Sequence, residues 1–259
     1  MRRIAVIASG WHFPLGFYES MMKQVVPEGW MVDYYCVSHR DPIHAKVEKE
    51  NYKFKRGIRG KLDKILYKGI ADKEIIERLG WNYKEYPNTI GDWGNTNQWL
   101  DEHDYREYDM ILATHDDNLI IHDRLFADII EDGNFENWDI LTNSPGMPQG
   151  TIRGSFEFFK RNVLDVIGGK FDISSITLTR EGKNYASQDI LELYDWNNLT
   201  PMMQKVIEDN KLRVAILSPA YRVSCYCIEG ERGYISNTHG INTHFEDEGF
   251  KFLKANKII

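Results

Sequence analysis

Apolar runs of strand type alternate along this chain with stretches of helical spacing. Residues 4–8 are continuously apolar, too few for a helix, and stop at Ser9-Gly10. That is the pattern of a strand buried on both faces. Leu15, Tyr18, Met21, Met22 and Val25 then recur at helical spacing until Pro27 and Gly29 break the pattern. Residues 31–37 form a second strand, closed by Ser38-His39-Arg40-Asp41-Pro42. Strand, helix and strand in that order predict the opening of a doubly wound α/β sheet. Residues 43–80 are rich in lysine and glutamate and broken by Gly57, Gly60 and Gly69, which predicts a helical excursion away from the sheet. Residues 81–86 follow as a third strand, and residues 91–100 as a glycine loop entering a helix. Backbone donors at such a loop, with Asn97 beside them, suit phosphate or sugar oxygens; a plain turn and cap explains the segment equally well.

Met110-Ile111-Leu112-Ala113-Thr114 is the next strand-type run, and it ends in His115-Asp116-Asp117-Asn118. Beyond it the pattern predicts a helix over 123–130, a short strand over 138–141 and a turn-rich loop over 143–150. An aromatic extended segment over 152–159 follows, then a short helix over 162–167 that closes on Gly168-Gly169. A helix opens at Ser187-Gln188-Asp189, another spans 199–210, and strands cover 214–217 and 221–228. The tail is a polar loop holding His239 and His244, then a short helix.

The end of the 110–114 strand carries the chemistry. In open α/β sheets, ligands sit outside the carboxyl ends of the strands, so Asp116 and Asp117 project toward the crevice. Two carboxylates side by side are costly unless a cation or a donor-rich ligand neutralises them. A divalent ion carrying substrate phosphates is the usual partner. The plainer alternative is a solvated turn in which Asp117-Asn118 caps the following helix.

Composition narrows the classes. With 259 residues, 42% hydrophobic and 27% charged, the chain can bury a core without disulfides and suits one domain over 1–259. A net charge of -7 argues against a general nucleic-acid binder. The basic run at 53–64 reads as a solvated helical face, with anionic lipid or a phosphorylated substrate as its alternative partners. Cys36, Cys225 and Cys227 form neither an even framework nor a zinc spacing, so they are expected reduced, in a cytoplasmic setting. No signal peptide and no run of membrane-spanning length is expected; peripheral membrane contact stays open. Trp81, Trp93, Trp99, Trp138 and Trp196 suit stacking on a sugar or base, and an ordinary core as well.

Three segments taken together resemble the nucleotide-sugar glycosyltransferases of the GT-A fold, family 2 most closely. Residues 112–125 (LATHDDNLIIHDRL) are similar to the family's metal-site strand and following helix. Val166-Ile167-Gly168-Gly169-Lys170-Phe171-Asp172 is similar to its Gly-Gly-Phe-Asp segment with one lysine inserted. Ser187-Gln188-Asp189-Ile190 is similar to its Glu-Asp segment, with Gln188 in place of glutamate.

The resemblance covers roughly residues 3–195. It implies a Rossmann-like, mostly parallel sheet flanked by helices, with a smaller mixed subregion on the acceptor side. The donor half would span about residues 1–120 and the acceptor half about 121–259. It implies a metal-dependent transfer of one sugar from a nucleotide-diphosphate sugar, a UDP-sugar in the first instance, to a glycan or other hydroxyl.

By the match, Asp117 would hold Mn2+ or Mg2+, and Asp116 would contact the nucleotide ribose or the metal shell. Asp189 would be the base, with a helix cap as its plainer reading. Gly168 and Gly169 would let backbone approach the donor sugar while also ending a helix. Ser9, Asp41, Asn97 and Arg153 would complete the donor contacts, and His239 or His244 would reach the metal or pyrophosphate. The acidic residues the family carries after the second strand are replaced by Ser38-His39-Arg40-Asp41, which leaves the base to Asp41. The expected course is inverting. The alternatives are a retaining transferase with His239 or His244 on the metal, a nucleotidyltransferase, and a catalytically silent nucleotide- or glycan-binding module. Ser9-Gly10-Trp11-His12 does not resemble the basic glycine loop a nucleotidyltransferase would carry.

Overall fold

The structure is a computed structural model, and the residues it describes are 1–49, 64–87, 91–120, 123–131, 135–142, 156–173, 200–216 and 222–224. Strand β1 (Arg2–Gly10) lies between two parallel neighbours, β2 (Trp30–Ser38) and β4 (Met110–His115). With a partner on each edge and helices on each face, none of its interior positions meets water. Every residue from Ile4 to Gly10 is therefore buried, and the apolar run shows no alternation. The remaining strands are β3 (Asn82–Glu85), β6 (Ile140–Thr142), β7 (Phe156–Lys160) and β8 (Val214–Ile216). They complete a seven-stranded sheet in the order β3-β2-β1-β4-β7-β6-β8. Strand β7 runs antiparallel to both its neighbours, and the others are mutually parallel. Strands β5 (Asn118–Ile120) and β9 (Arg222–Ser224) form a separate antiparallel pair.

The alternation of side chains along β1 sorts the helices into two layers. Ile4, Val6 and Ala8 face one core, built with α1 (Leu15–Met22), α2 (Pro42–Lys49), α3 (Lys73–Arg78) and α5 (Leu125–Glu131). Ala5 and Ile7 face the other, built with α4 (Gly91–Glu102), α6 (Arg161–Val166) and α7 (Thr200–Asn210). Trp81 locks the first layer: its ring lies 5.0 Å from Tyr18, 5.0 Å from Tyr34 and 5.7 Å from Phe17. Trp93 and Trp99 are fully buried in the second layer, and Trp138 is buried in the first. These tryptophans are core residues, and Trp196 lies outside the described residues.

Most expected elements are present. The helix after β1 ends at Met22, with Lys23 as its C-cap, before the expected break at Pro27. The 91–100 segment is corrected. It is helical from Gly91 onward, so it offers a buried helix face where a glycine loop was expected. Only parts of the excursion over 43–80 and of the strand over 221–228 fall within the described residues, as α2, α3 and β9. Cys36 is a buried free thiol, 3.2 Å from the Tyr18 hydroxyl; Cys225 and Cys227 lie outside.

A long-range ion pair ties the β8 end of the sheet to α6. Asp139 accepts from Arg213 through its backbone N (2.7 Å), Nε (3.0 Å) and Nη2 (3.0 Å), and from Asn162 Nδ2 (3.0 Å). The Arg213 hydrogen bonds hold the Asp139 carboxyl down to about 2, against the opposing effect of burial. A depressed carboxylate stabilises the fold above its unfolded value, and that contribution is lost as pH falls through the folded value. The stability advantage of wild type over Asp139→Asn is therefore expected to be full at neutral pH and down to about pH 4, and to shrink toward about pH 2. Urea midpoints of both proteins across that range measure it; a difference that stays constant contradicts the assignment.

Candidate functional site

The chain leaves β1 toward β2 and β3 on one side of the sheet and returns to β4 on the other. The crevice between the carboxyl ends of β1 and β4 is therefore a topological switch point, where open α/β sheets bind ligands. Three strand ends meet there: Ser9-Gly10 with the loop to Pro14, Ser38-His39-Arg40-Asp41, and His115-Asp116-Asp117.

Asp116 spans this crevice. Its backbone N–H donates to Ser9 O at 3.2 Å. Its carboxylate accepts the N–H groups of Trp11 (2.8 Å), His12 (3.1 Å) and Phe13 (2.6 Å), all on Oδ2. Three successive amides converging on one anion need an unusual backbone, and Phe13 sits at φ +49° to complete it. Asp116 is 1% exposed. Burial drives its carboxyl up to about 7, opposed by the amides, with the charge of Asp117 adding to the rise. The same loop carries Trp11, whose ring lies 4.4 Å beneath the Arg40 guanidinium. Ser38 Oγ fastens the two loops, donating to Gly10 O (2.7 Å) and accepting from Arg40 N (3.0 Å). The Nδ1 of His12 is enclosed without a hydrogen-bond partner. Burial, with the nearby charges of Arg40 and His115, brings His12 down to about 3, so it is neutral.

Asp117 has a different environment. The strand ends at His115, and the turn at Asp116-Asp117 brings the Asp117 side chain back beside His115. His115 Nδ1 lies 3.9 Å from Asp117 Oδ1, and the two side chains are 12% and 16% exposed. Asn118 fixes the turn that follows, its Nδ2 donating to His115 O at 3.1 Å and to Thr114 Oγ1 at 3.3 Å. Asn118 opens β5, so the turn at Asp116-Asp117 joins two strands and Asp117-Asn118 caps no helix. An imidazole nitrogen beside a carboxylate oxygen is a donor set that suits a divalent ion. Among the described residues no third His, Cys, Asp or Glu joins them.

The other sequence-predicted residues separate into two groups. Ser9 is at the crevice, in register with His115 on β4. Asp41 is at the end of β2, where its Oδ1 accepts Ile43 N–H at 2.7 Å and caps α2. Asn97, Gly168 and Gly169 have roles in the fold. Both ends of the Asn97 amide are used by the backbone of Phe171, Nδ2 on its O and Oδ1 on its N, each at 2.9 Å. Gly168 and Gly169 end α6 at φ +69° and +76°. A Cβ at Gly169 would fall 2.5 Å from the Tyr105 ring. Tyr105 belongs to the turn Tyr105–Glu107 that leads into β4, so these glycines lie toward the strand's start, about 17 Å of strand from its carboxyl end. Arg153, Asp189, His239 and His244 lie outside the described residues. His115 is the residue that the sequence reading passed over, although its i,i+2 spacing to Asp117 was the available signal.

Asp116→Ala leaves three enclosed amides without an acceptor and is expected to cost about 3 kcal/mol or more. Asp116→Asn keeps an oxygen for them and is expected to cost roughly 1 kcal/mol. Urea unfolding of the two variants beside wild type is the check, and equal losses contradict the amide clamp.

No protein-family model matches the sequence, and no curated protein matches it. Solved structures do. A mannosyltransferase, PcManGT from Pyrobaculum calidifontis, in complex with GDP-Man and Mn2+, superposes with a TM-score of 0.51 at 13% identity, over 90% of this chain and 59% of that one. S. aureus TarS 1-349 in complex with UDP superposes with a TM-score of 0.49 at 14% identity, over 98% and 71%. A cytidylyltransferase from Leptospira borgpetersenii gives 0.45 at 16% identity, over 99% and 95%. This chain spans about three-fifths of the mannosyltransferase. With the sheet order and the crevice already described, the first of these superpositions places the chain in the GT-A fold.

Proposed function

We propose that this chain transfers one sugar from a nucleotide-diphosphate sugar to an acceptor hydroxyl, with a divalent cation at Asp117. The observation that carries the reading is the end of β4, where the partly exposed Asp117 stands beside His115 at the switch point of a GT-A sheet while Asp116 is bound by the loop after β1 and builds the crevice wall. A divalent cation there would supply charge stabilisation to the departing diphosphate. Asp117 holds a negative, half-enclosed position for it, and Trp11 and Arg40 wall the same end of β1 and β2. Asp189, carried over from the family resemblance, would take the acceptor proton, and displacement in line would invert the anomeric centre. The mannosyltransferase of like fold was solved with Mn2+ and GDP-Man, which supports a transition-metal ion and sets a GDP-sugar beside the UDP-sugar as a donor to test. Among the described residues, no helix is long and apolar enough to cross a membrane.

Nucleotidyl transfer is the weaker reading for a geometric reason. It calls for a loop after β1 whose amides are open to triphosphate oxygens. Here the amides of Trp11, His12 and Phe13 already point at Asp116.

Thermal melting with UDP, GDP, CDP and ADP, each with and without Mn2+, is the direct test. One nucleotide is expected to raise the melting temperature, by roughly 5–10 °C at a hundred times its Kd. Part of that rise should require Mn2+ and vanish in Asp117→Ala. Asp189→Ala should keep the shift but lower transfer by about 100-fold or more. No shift with any nucleotide would refute the reading.

A further inference from the structure

We infer that the cation is held by His115 together with Asp117, and that Asp116 is a positioning residue that never reaches it. The inference rests on the transferase reading for the presence of a metal, but its content is the choice of ligands. The two adjacent carboxylates lie on the turn that follows β4 and meet different surroundings. The structure resolves which is which. Asp116 is 1% exposed, and its Oδ2 accepts three amides at 2.8, 3.1 and 2.6 Å. Its Oδ1 is 3.3 Å from the His12 amide. Turning this carboxylate outward would strip the 11–13 amides of their acceptor, so it is committed to the loop. His115 is the side chain beside Asp117. Its Nδ1 is 3.9 Å from Asp117 Oδ1, on a turn that Asn118 fixes through His115 O. A modest side-chain rotation brings both atoms to one ion.

The consequence is a mixed site. Imidazole nitrogen favours transition-metal ions, whereas Mg2+ prefers oxygen ligands. A His–Asp pair therefore selects Mn2+ over Mg2+ in a way that an Asp–Asp pair does not. Asp116 acts on the site indirectly, by shaping the loop that carries Trp11 and His12.

Mn2+ alone, titrated into the full chain and followed by electron paramagnetic resonance, separates the two ligand sets. Pulsed spectra of wild type are expected to show nitrogen coupling from a bound imidazole, and His115→Gln should abolish it. His115→Ala and Asp117→Ala should each weaken Mn2+ binding by about tenfold or more. Asp116→Asn, which keeps the amide clamp, should bind Mn2+ as wild type does. His115→Asp should bind Mg2+ more competitively against Mn2+ than wild type. Absence of nitrogen coupling in wild type, unchanged coupling in His115→Gln, or an Asp116→Asn loss equal to that of Asp117→Ala would overturn the assignment. Urea midpoints confirm that each variant is folded. Nucleotide-induced melting shifts without metal report on the transferase reading separately, so loss of the ligand assignment and loss of the function are distinguishable.

Discussion

One carboxylate organises the carboxyl edge of this sheet. Asp116 sits at the end of β4 and accepts three consecutive amides from the loop after β1, so the two strands that flank the switch point are joined through a single side chain. A buried carboxylate is costly, and convergent N–H donors offset that cost. The loop, in turn, needs an acceptor: without one its amides would be enclosed donors with no partner. Each half of the clamp requires the other. The positive φ of Phe13, the placement of the Trp11 ring beneath Arg40 and the enclosure of His12 all follow from the loop closing around this anion.

With Asp116 committed to the loop, the side chains on either side of it stand together. His115 and Asp117 hold their donor atoms 3.9 Å apart. Ser9, in register with His115 on β1, completes the same edge. A similar economy runs through the α4 layer, where Asn97 binds both backbone groups of Phe171 and Phe171 packs 4.7 Å from Trp93 and 4.9 Å from Phe159. The segment after α6 is thereby strapped to the helix that follows β3.

Much of this was legible in the residues. A strand buried on both faces leaves a continuous apolar run, and residues 4–8 and 110–114 could be little else. Helix ends were readable where they rest on local chemistry: Gly168-Gly169 closes α6 with both residues at positive φ, as two glycines after a short helical pattern imply. The resemblance of residues 112–125 pointed to the carboxyl end of β4, which lies beside the topological switch point of the sheet. Asn97 and Gly169 had sequence contexts that suit ligand contact, yet Asn97 binds the backbone of Phe171 and Gly169 lies against the Tyr105 ring. Polar or glycine character alone does not say whether the partner is a substrate or another part of the chain.

The sequence by itself determined the sheet class, the order of strands and helices, and the presence of carboxylates at the carboxyl end of the central strand. These follow from hydrophobic period and from turn and cap chemistry, which act within a few residues. Only the tertiary structure decided which aspartate faces the crevice. The acceptor role of Asp116 is met by backbone amides 103 to 105 residues away, and every residue except proline has such an amide. No side-chain pattern marks them, so the division of labour between Asp116 and Asp117 becomes visible only when β1 and β4 lie side by side.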